Sequence, residues 1–110
     1  MIVLDLFLQA GCVADGVRPT LAASLEAASL AELGADAGPV EIRWTVIRKG
    51  FGFRGGHPST TSLVRGRIPD GCDPKTRANL LRVLGTTWCD VTGAGEDEVV
   101  VSARDWNWSG

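Results

Sequence analysis

Metal-binding residues are scarce in this chain. Its three cysteines, Cys12, Cys72 and Cys89, include no C-x-x-C pair, and His57 is the only histidine. A zinc site therefore has too few donors, and the thiols are expected to stay reduced. Neither a metal nor a cofactor is expected. A charge excess is missing too: 11 basic against 13 acidic residues give −2 and a pI near 5.3, without the basic footprint that nucleic acid or an anionic membrane calls for. No apolar run approaches the ~18 residues of a membrane span, and Met1-Ile2-Val3-Leu4 carries no basic leader. The expectation is a soluble, cytoplasmic protein with no membrane partner, and its 110 residues suit a single domain over 1–110.

What the chain does have is a strongly patterned series of segments. Met1 to Gln9 is apolar apart from Asp5 and reads as a mostly buried strand closed by Ala10-Gly11. With Ile2, Leu4, Leu6 and Leu8 on one side, Val3, Asp5 and Phe7 take the other, so Asp5 sits on a face that must be wet or hydrogen-bonded. Pro19 opens a helix that runs to Leu33, with Gly34 in the position of a C-cap and Leu21, Leu25 and Ala28 on its apolar face. Val40 to Ile47 alternates Val40, Ile42, Trp44 and Val46 against Glu41, Arg43 and Thr45, the period of a half-buried strand. Arg48 to Ser59 is too rich in glycine and proline for regular structure and reads as a loop with room for one short hairpin. A strand over 60–68 follows. Asp73-Pro74 then supplies the N-cap and first residue of a second helix, with Leu81, Leu84 and Trp88 on its buried side and an end near 90–93. Glu98 to Ser102 is the last strand.

The two halves match: strand, Gly-Cys turn, proline-opened helix, strand, over about 1–48 and 59–105, joined by the loop 49–58. Two right-handed βαβ units side by side give an α+β fold, a four-stranded mixed sheet with both helices on one face. The other face is left bare, an apolar patch unless subunits cover it, so a symmetric oligomer is expected.

The best candidate for a ligand site is the end of the strand 60–68. Arg65 and Arg67 are two residues apart and project from one face as paired cations. Their planar donor forks suit a carboxylate or phosphate. The competing reading leaves both solvated or paired with acidic residues. His57 reads as an exposed turn residue, and Trp44 and Trp88 as core.

These residues resemble the tautomerase superfamily, whose members are repeated βαβ units that form trimers or hexamers with active sites between subunits. The likeness covers nearly the whole chain and is nearest to the malonate semialdehyde decarboxylase and cis-3-chloroacrylic acid dehalogenase-like branches. Val64-Arg65-Gly66-Arg67 is similar to the decarboxylase's Arg-x-Arg, which holds the substrate carboxylate. Gly50-Phe51-Gly52-Phe53 resembles the aromatic loop before that strand, and Arg104-Asp105-Trp106-Asn107-Trp108 the terminal segment that walls the site. Glu41 falls close to the decarboxylase's catalytic aspartate. The chain departs from the family at its start: Ile2 stands where family enzymes expose a catalytic proline. With Met1 retained, the amine is primary and displaced by one residue, ~3.3–3.6 Å of chain.

The resemblance implies an isomerase or lyase for a small carboxylate or dicarbonyl compound. The anion is held by Arg65 and Arg67 in a pocket walled by Ile2, Phe51, Phe53, Trp106 and Trp108. Glu41, Asp5 or the Met1 amine replaces proline as base, and the partner is a second copy of the chain, a trimer by the family's habit. Two alternatives stay open. One is a catalytically silent subunit of the same fold, in a homo-oligomer or beside a proline-bearing paralogue. The other is an RRM-like RNA-binding module, suggested by Lys49-Gly50-Phe51-Gly52-Phe53 and the βαββαβ order but opposed by the acidic pI.

Overall fold

Alternation along the first strand decides the architecture. In the computed structural model, which describes residues 1–54 and 56–107, strand β1 spans Ile2–Gln9, and Ile2, Leu4, Leu6 and Leu8 are wholly buried. Each such side chain contributes about 1.5–3 kcal/mol relative to exposure. They pack against two helices, α1 (Arg18–Leu33) and α2 (Pro74–Thr92). The remaining strands are β2 (Val40–Ile47), a two-strand ribbon β3 (Phe53–Arg54) and β4 (His57–Pro58), β5 (Ser62–Ile68) and β6 (Val99–Asp105). The main sheet has the order β2-β1-β5-β6. Its outer pairs are parallel and its central pair, β1 with β5, is antiparallel. This is the expected four-stranded mixed sheet built from two βαβ units with helices on one face.

The helix ends follow from their capping residues. Gly34, at φ 94°, closes α1 by donating its N–H to the Leu30 carbonyl at 2.8 Å. At the start of α2 the Asp73 carboxylate accepts from the Thr76 N–H at 2.8 Å, with Pro74 in the first turn as the sequence predicts. The buried stripe of α2 differs from expectation by one position. It runs Leu80, Leu84 and Trp88, all 1% exposed or less, while Leu81 is half-buried beside Val99 and Val101 of β6. The cause is that α2 packs on both α1 and the sheet, so its apolar surface is wider than one row. Among the described residues, no helix is long and apolar enough to cross a membrane.

The helix-free face of the sheet is not the uniformly apolar patch expected. Cross-strand register arranges it in rows. One row is Glu41, Val3, Arg67 and Arg104; the next is Arg43, Asp5, Arg65 and Ser102; the third is Thr45, Phe7, Leu63 and Val100. One end of the face is thus charged, and the other carries exposed Leu63 and Val100. The segment 49–52 is loop and Phe53 belongs to the separate ribbon. The aromatics that suggested RNA binding therefore lie off the four-stranded sheet on which such a module stacks bases.

Candidate functional site

Register between non-adjacent segments assembles the site. Antiparallel pairing sets Arg65 opposite Asp5 and Arg67 opposite Val3, and parallel pairing with β6 sets Ser102 beside Arg65 and Arg104 beside Arg67. Because paired residues of a sheet project to the same side, Asp5, Arg65, Arg67, Ser102 and Arg104 converge. They line a cleft of about 330 Å³. Gly66, between the two arginines, turns to the helix side, where a Cβ would stand 3.4 Å from Leu4 and from the Ser102 carbonyl.

Both sequence-predicted arginines stand on aromatic rings. The Arg65 guanidinium carbon lies 5.8 Å from the Phe7 ring centroid, and that of Arg67 lies 5.1 Å from Trp106. Both distances fall within cation–π range, an attraction that does not use the guanidinium N–H donors. Trp106 is itself braced. On one side Arg77 donates to the Ala103 carbonyl at 2.9 Å and pairs with Asp105. On the other, the Asn107 backbone N–H donates to Asp70 Oδ1 at 3.0 Å and its side-chain amide to Asp70 Oδ2. The chain is thereby held on both sides of the indole.

The other candidates are distributed unevenly. Arg18 pairs with Asp15, Arg43 with Glu41 and Arg77 with Asp105, and Asp5 is in none of these ion pairs. Glu41 is on the same face as the cleft but two strands from Arg67. Its Oε2 accepts from Arg43 Nε at 2.9 Å. Ile2 does not line the cleft: its side chain is fully buried on the helix side, and its N–H donates to the Pro39 carbonyl at 2.8 Å. An amide so engaged has no lone pair to offer as a base. Met1 is 48% exposed, at the end of β1 where Val3 pairs with Arg67.

Phe51 and Phe53 are well exposed, and their loop is tied to the far end of β1. There the Gln9 side chain accepts from the Gly50 N–H at 3.2 Å and donates to the Ser59 carbonyl. Within one chain they are therefore separated from the arginines by about four residues of strand, some 13 Å. Trp108 lies outside the described residues. Sequence reasoning missed Arg104, Ser102, Asp70 and Arg77. Arg104 had a signal, its two-residue spacing from Ser102, hidden because the strand was ended at Ser102.

A larger hollow of about 500 Å³ lies between α2 and β6, lined by Leu81, Cys89, Glu96, Val99 and Val101 among others. It lacks the converging cations of the smaller cleft. Burial pushes the Cys89 thiol above its ordinary value, helped by Glu96, Asp90 and Glu98, and likewise raises Cys72. Among the described residues no group of three or more His, Cys, Asp or Glu could hold a metal.

No protein-family model matches the chain, and no curated protein matches it in sequence. Solved structures do. Native Ps01740 superposes with a TM-score of 0.86 at 29% identity, over 94% of this chain and 92% of that one. A fused 4-OT wild-type symmetric trimer gives 0.84 at 19% identity, over 94% and 84%. N1, a member of the cis-3-chloroacrylic acid dehalogenase family, gives 0.85 at 17% identity, over 94% and 73%. These likenesses support the tautomerase-type fold that the sequence resembles.

Proposed function

We propose that this chain is a tautomerase-superfamily enzyme that binds a small carboxylate or dicarbonyl compound through Arg65 and Arg67 and isomerises, decarboxylates or cyclises it without an N-terminal proline. The observation that carries the reading is the cross-strand placement of Asp5, Arg65 and Arg67 on one cleft at the end of the sheet where the chain begins. The arginines fix the anion and draw charge toward themselves as an enolate forms. Asp5, in the same cleft, or the Met1 amine beside it takes the proton. Glu41 is the third choice because it is occupied by Arg43. The branch nearest in character is that of malonate semialdehyde decarboxylase and cis-3-chloroacrylic acid dehalogenase.

The working unit is a homotrimer. One of the similar structures is described as a symmetric trimer, and the band of Phe7, Leu63 and Val100 on the bare face offers apolar area for subunit contact. A neighbouring subunit would also bring Phe51 and Phe53 to arginines they do not reach within their own chain.

A second reading has its own support. The nitrogen of residue 2 is a hydrogen-bonded amide, so the family's central base is missing and a silent binding subunit is the alternative. Ultraviolet assay of the ketonisation of enolised 2-oxo acids tests both. Turnover by the purified protein is expected, with kcat/KM falling about tenfold to a hundredfold in Arg65→Ala or Arg67→Ala. Carboxylate binding without turnover establishes the silent reading. Native mass spectrometry showing a second subunit mass would replace the homotrimer with a hetero-oligomer.

A further inference from the structure

We infer that Glu41 is a positioning residue of this site: it holds Arg43 away from Asp5 and so keeps the Asp5 carboxylate open to act as the base. Resting on the enzyme reading above, this makes Asp5, rather than the Met1 amine, the proton acceptor. Register sets Asp5 within a row of the sheet, directly opposite Arg43 of β2 on one side and Arg65 of β5 on the other. Opposite charges so placed ordinarily attract across a sheet, and a carboxylate engaged by a guanidinium accepts a proton less readily. Among the described residues, neither arginine is ion-paired with Asp5.

Each of the two guanidinium groups has its contact in a different neighbouring row. Arg43 turns along its own strand to Glu41, whose Oε2 accepts from Nε at 2.9 Å and lies 2.7 Å from Nη2. Arg65 has its guanidinium carbon 5.8 Å from the Phe7 ring centroid. Glu41 belongs to the row of Val3 and Arg67, and Phe7 to the row of Leu63 on the other side of Asp5, so the two contacts draw the arginines in opposite directions. Asp5 meanwhile lines the cleft with Arg65 and Arg67, beside the anion they hold. In the ketonisation of an enolised 2-oxo acid, the Asp5 carboxylate takes the enol O–H proton and that O–H electron pair closes the carbonyl. The former C=C pair then takes a proton back from the Asp5 acid at carbon, and the enzyme is restored. Without Glu41, Arg43 is left with Asp5 as its directly opposite acid, and its charge-assisted hydrogen bond competes with the substrate's proton for the carboxylate.

Steady-state kinetics of that ketonisation, comparing the intact protein with Glu41→Gln, Arg43→Gln and the double variant, tests the inference. The side chains of Glu41 and Arg43 are 43% and 59% exposed, so neither change disturbs the core. Glu41→Gln is expected to lower kcat about two- to fivefold, the size of an exposed ion pair, with KM unchanged because Arg65 and Arg67 still hold the carboxylate. Arg43→Gln is expected to match the parent, and adding it to Glu41→Gln to restore kcat. Asp5→Asn is expected to lower kcat about a hundredfold or more. Equal losses in the two single variants would show that the ion pair is merely structural, and a double variant as slow as Glu41→Gln that Glu41 itself meets the substrate. Either result, or parent kcat in Asp5→Asn, overturns the inference while the anion site stands. No turnover by the parent protein overturns the enzyme reading and this inference with it.

Discussion

The guanidinium of Arg67 lies 5.1 Å from the centre of the Trp106 ring, an arrangement that fixes a cation without consuming its donors. Trp106→Ala removes the platform and lets the Arg67 side chain spread over several rotamers. The expected result is a loss of carboxylate affinity of about two- to fivefold, the equivalent of a 0.5–1 kcal/mol cation–π contact. Titration of malonate into the variant measures it.

Asp70 acts on the same ring from a distance. By accepting from both the backbone and the side chain of Asn107, it ties the residue after Trp106 to the turn after β5. Asp70→Ala is expected to weaken malonate binding in the same direction as Trp106→Ala. The double variant should lose little more than either alone, because both changes act through one contact. Additive losses would show that Asp70 acts elsewhere.

Local pattern carried most of the fold, and register carried most of the site. The Asp73-Pro74 start of α2 and the Gly34 end of α1 were legible because caps are short-range chemistry. The alternation in β1 correctly put Asp5 opposite Ile2, yet the family likeness placed Ile2 in the pocket. The structure decides for alternation, burying Ile2 with the core. Leu80 and Leu81 could not be told apart, since either continues to Leu84 and Trp88 at helical spacing. The spacing of Arg104 from Ser102 hinted at a shared face, but its place beside Arg67 depends on the pairing of β5 with β6, segments more than thirty residues apart with no local signal of register. Asp70 and Asn107 meet across a similar separation.

The loop that presents Phe51 and Phe53 is anchored at one buried residue. Gln9 is 5% exposed and bonds both Gly50 and Ser59. Gln9→Ala leaves those backbone groups unpaired and is expected to cost about 1–3 kcal/mol. Gly52→Ala should do similar damage, since a Cβ there would collide with the Gln9 amide and the Ser59 carbonyl. Urea unfolding measures both, and faster proteolytic cleavage within 48–59 would place the loosening in this loop.

Acid sensitivity is expected at the start of α2. The Thr76 backbone N–H holds the Asp73 carboxyl below its ordinary value of 3.8. The folded chain therefore protonates Asp73 later than the unfolded chain as pH falls. The stability this supplies is full above 3.8 and is lost as pH drops through the lower folded value. Asn caps helices about as well as Asp but does not titrate, so Asp73→Asn should flatten this part of the profile. Thermal unfolding at pH 3 and pH 6 checks it: the variant's melting temperature should differ less between the two than that of the parent.

The antiparallel meeting of β1 and β5 gives the sheet an approximate two-fold axis, and that axis passes between Asp5 and Arg65. Rotation about it exchanges β1 with β5 and β2 with β6, bringing Phe7 onto the place of Arg67 and Thr45 onto that of Arg104. The fold therefore repeats one backbone arrangement twice, and the side chains have made the copies opposites, Arg67 and Arg104 in one and Phe7 and Thr45 in the other. A duplicated scaffold whose two ends were alike would have to choose between binding a ligand and binding a neighbour. This chain places an acid opposite a base on its own symmetry axis, with charged side chains towards one end of the face and apolar ones towards the other.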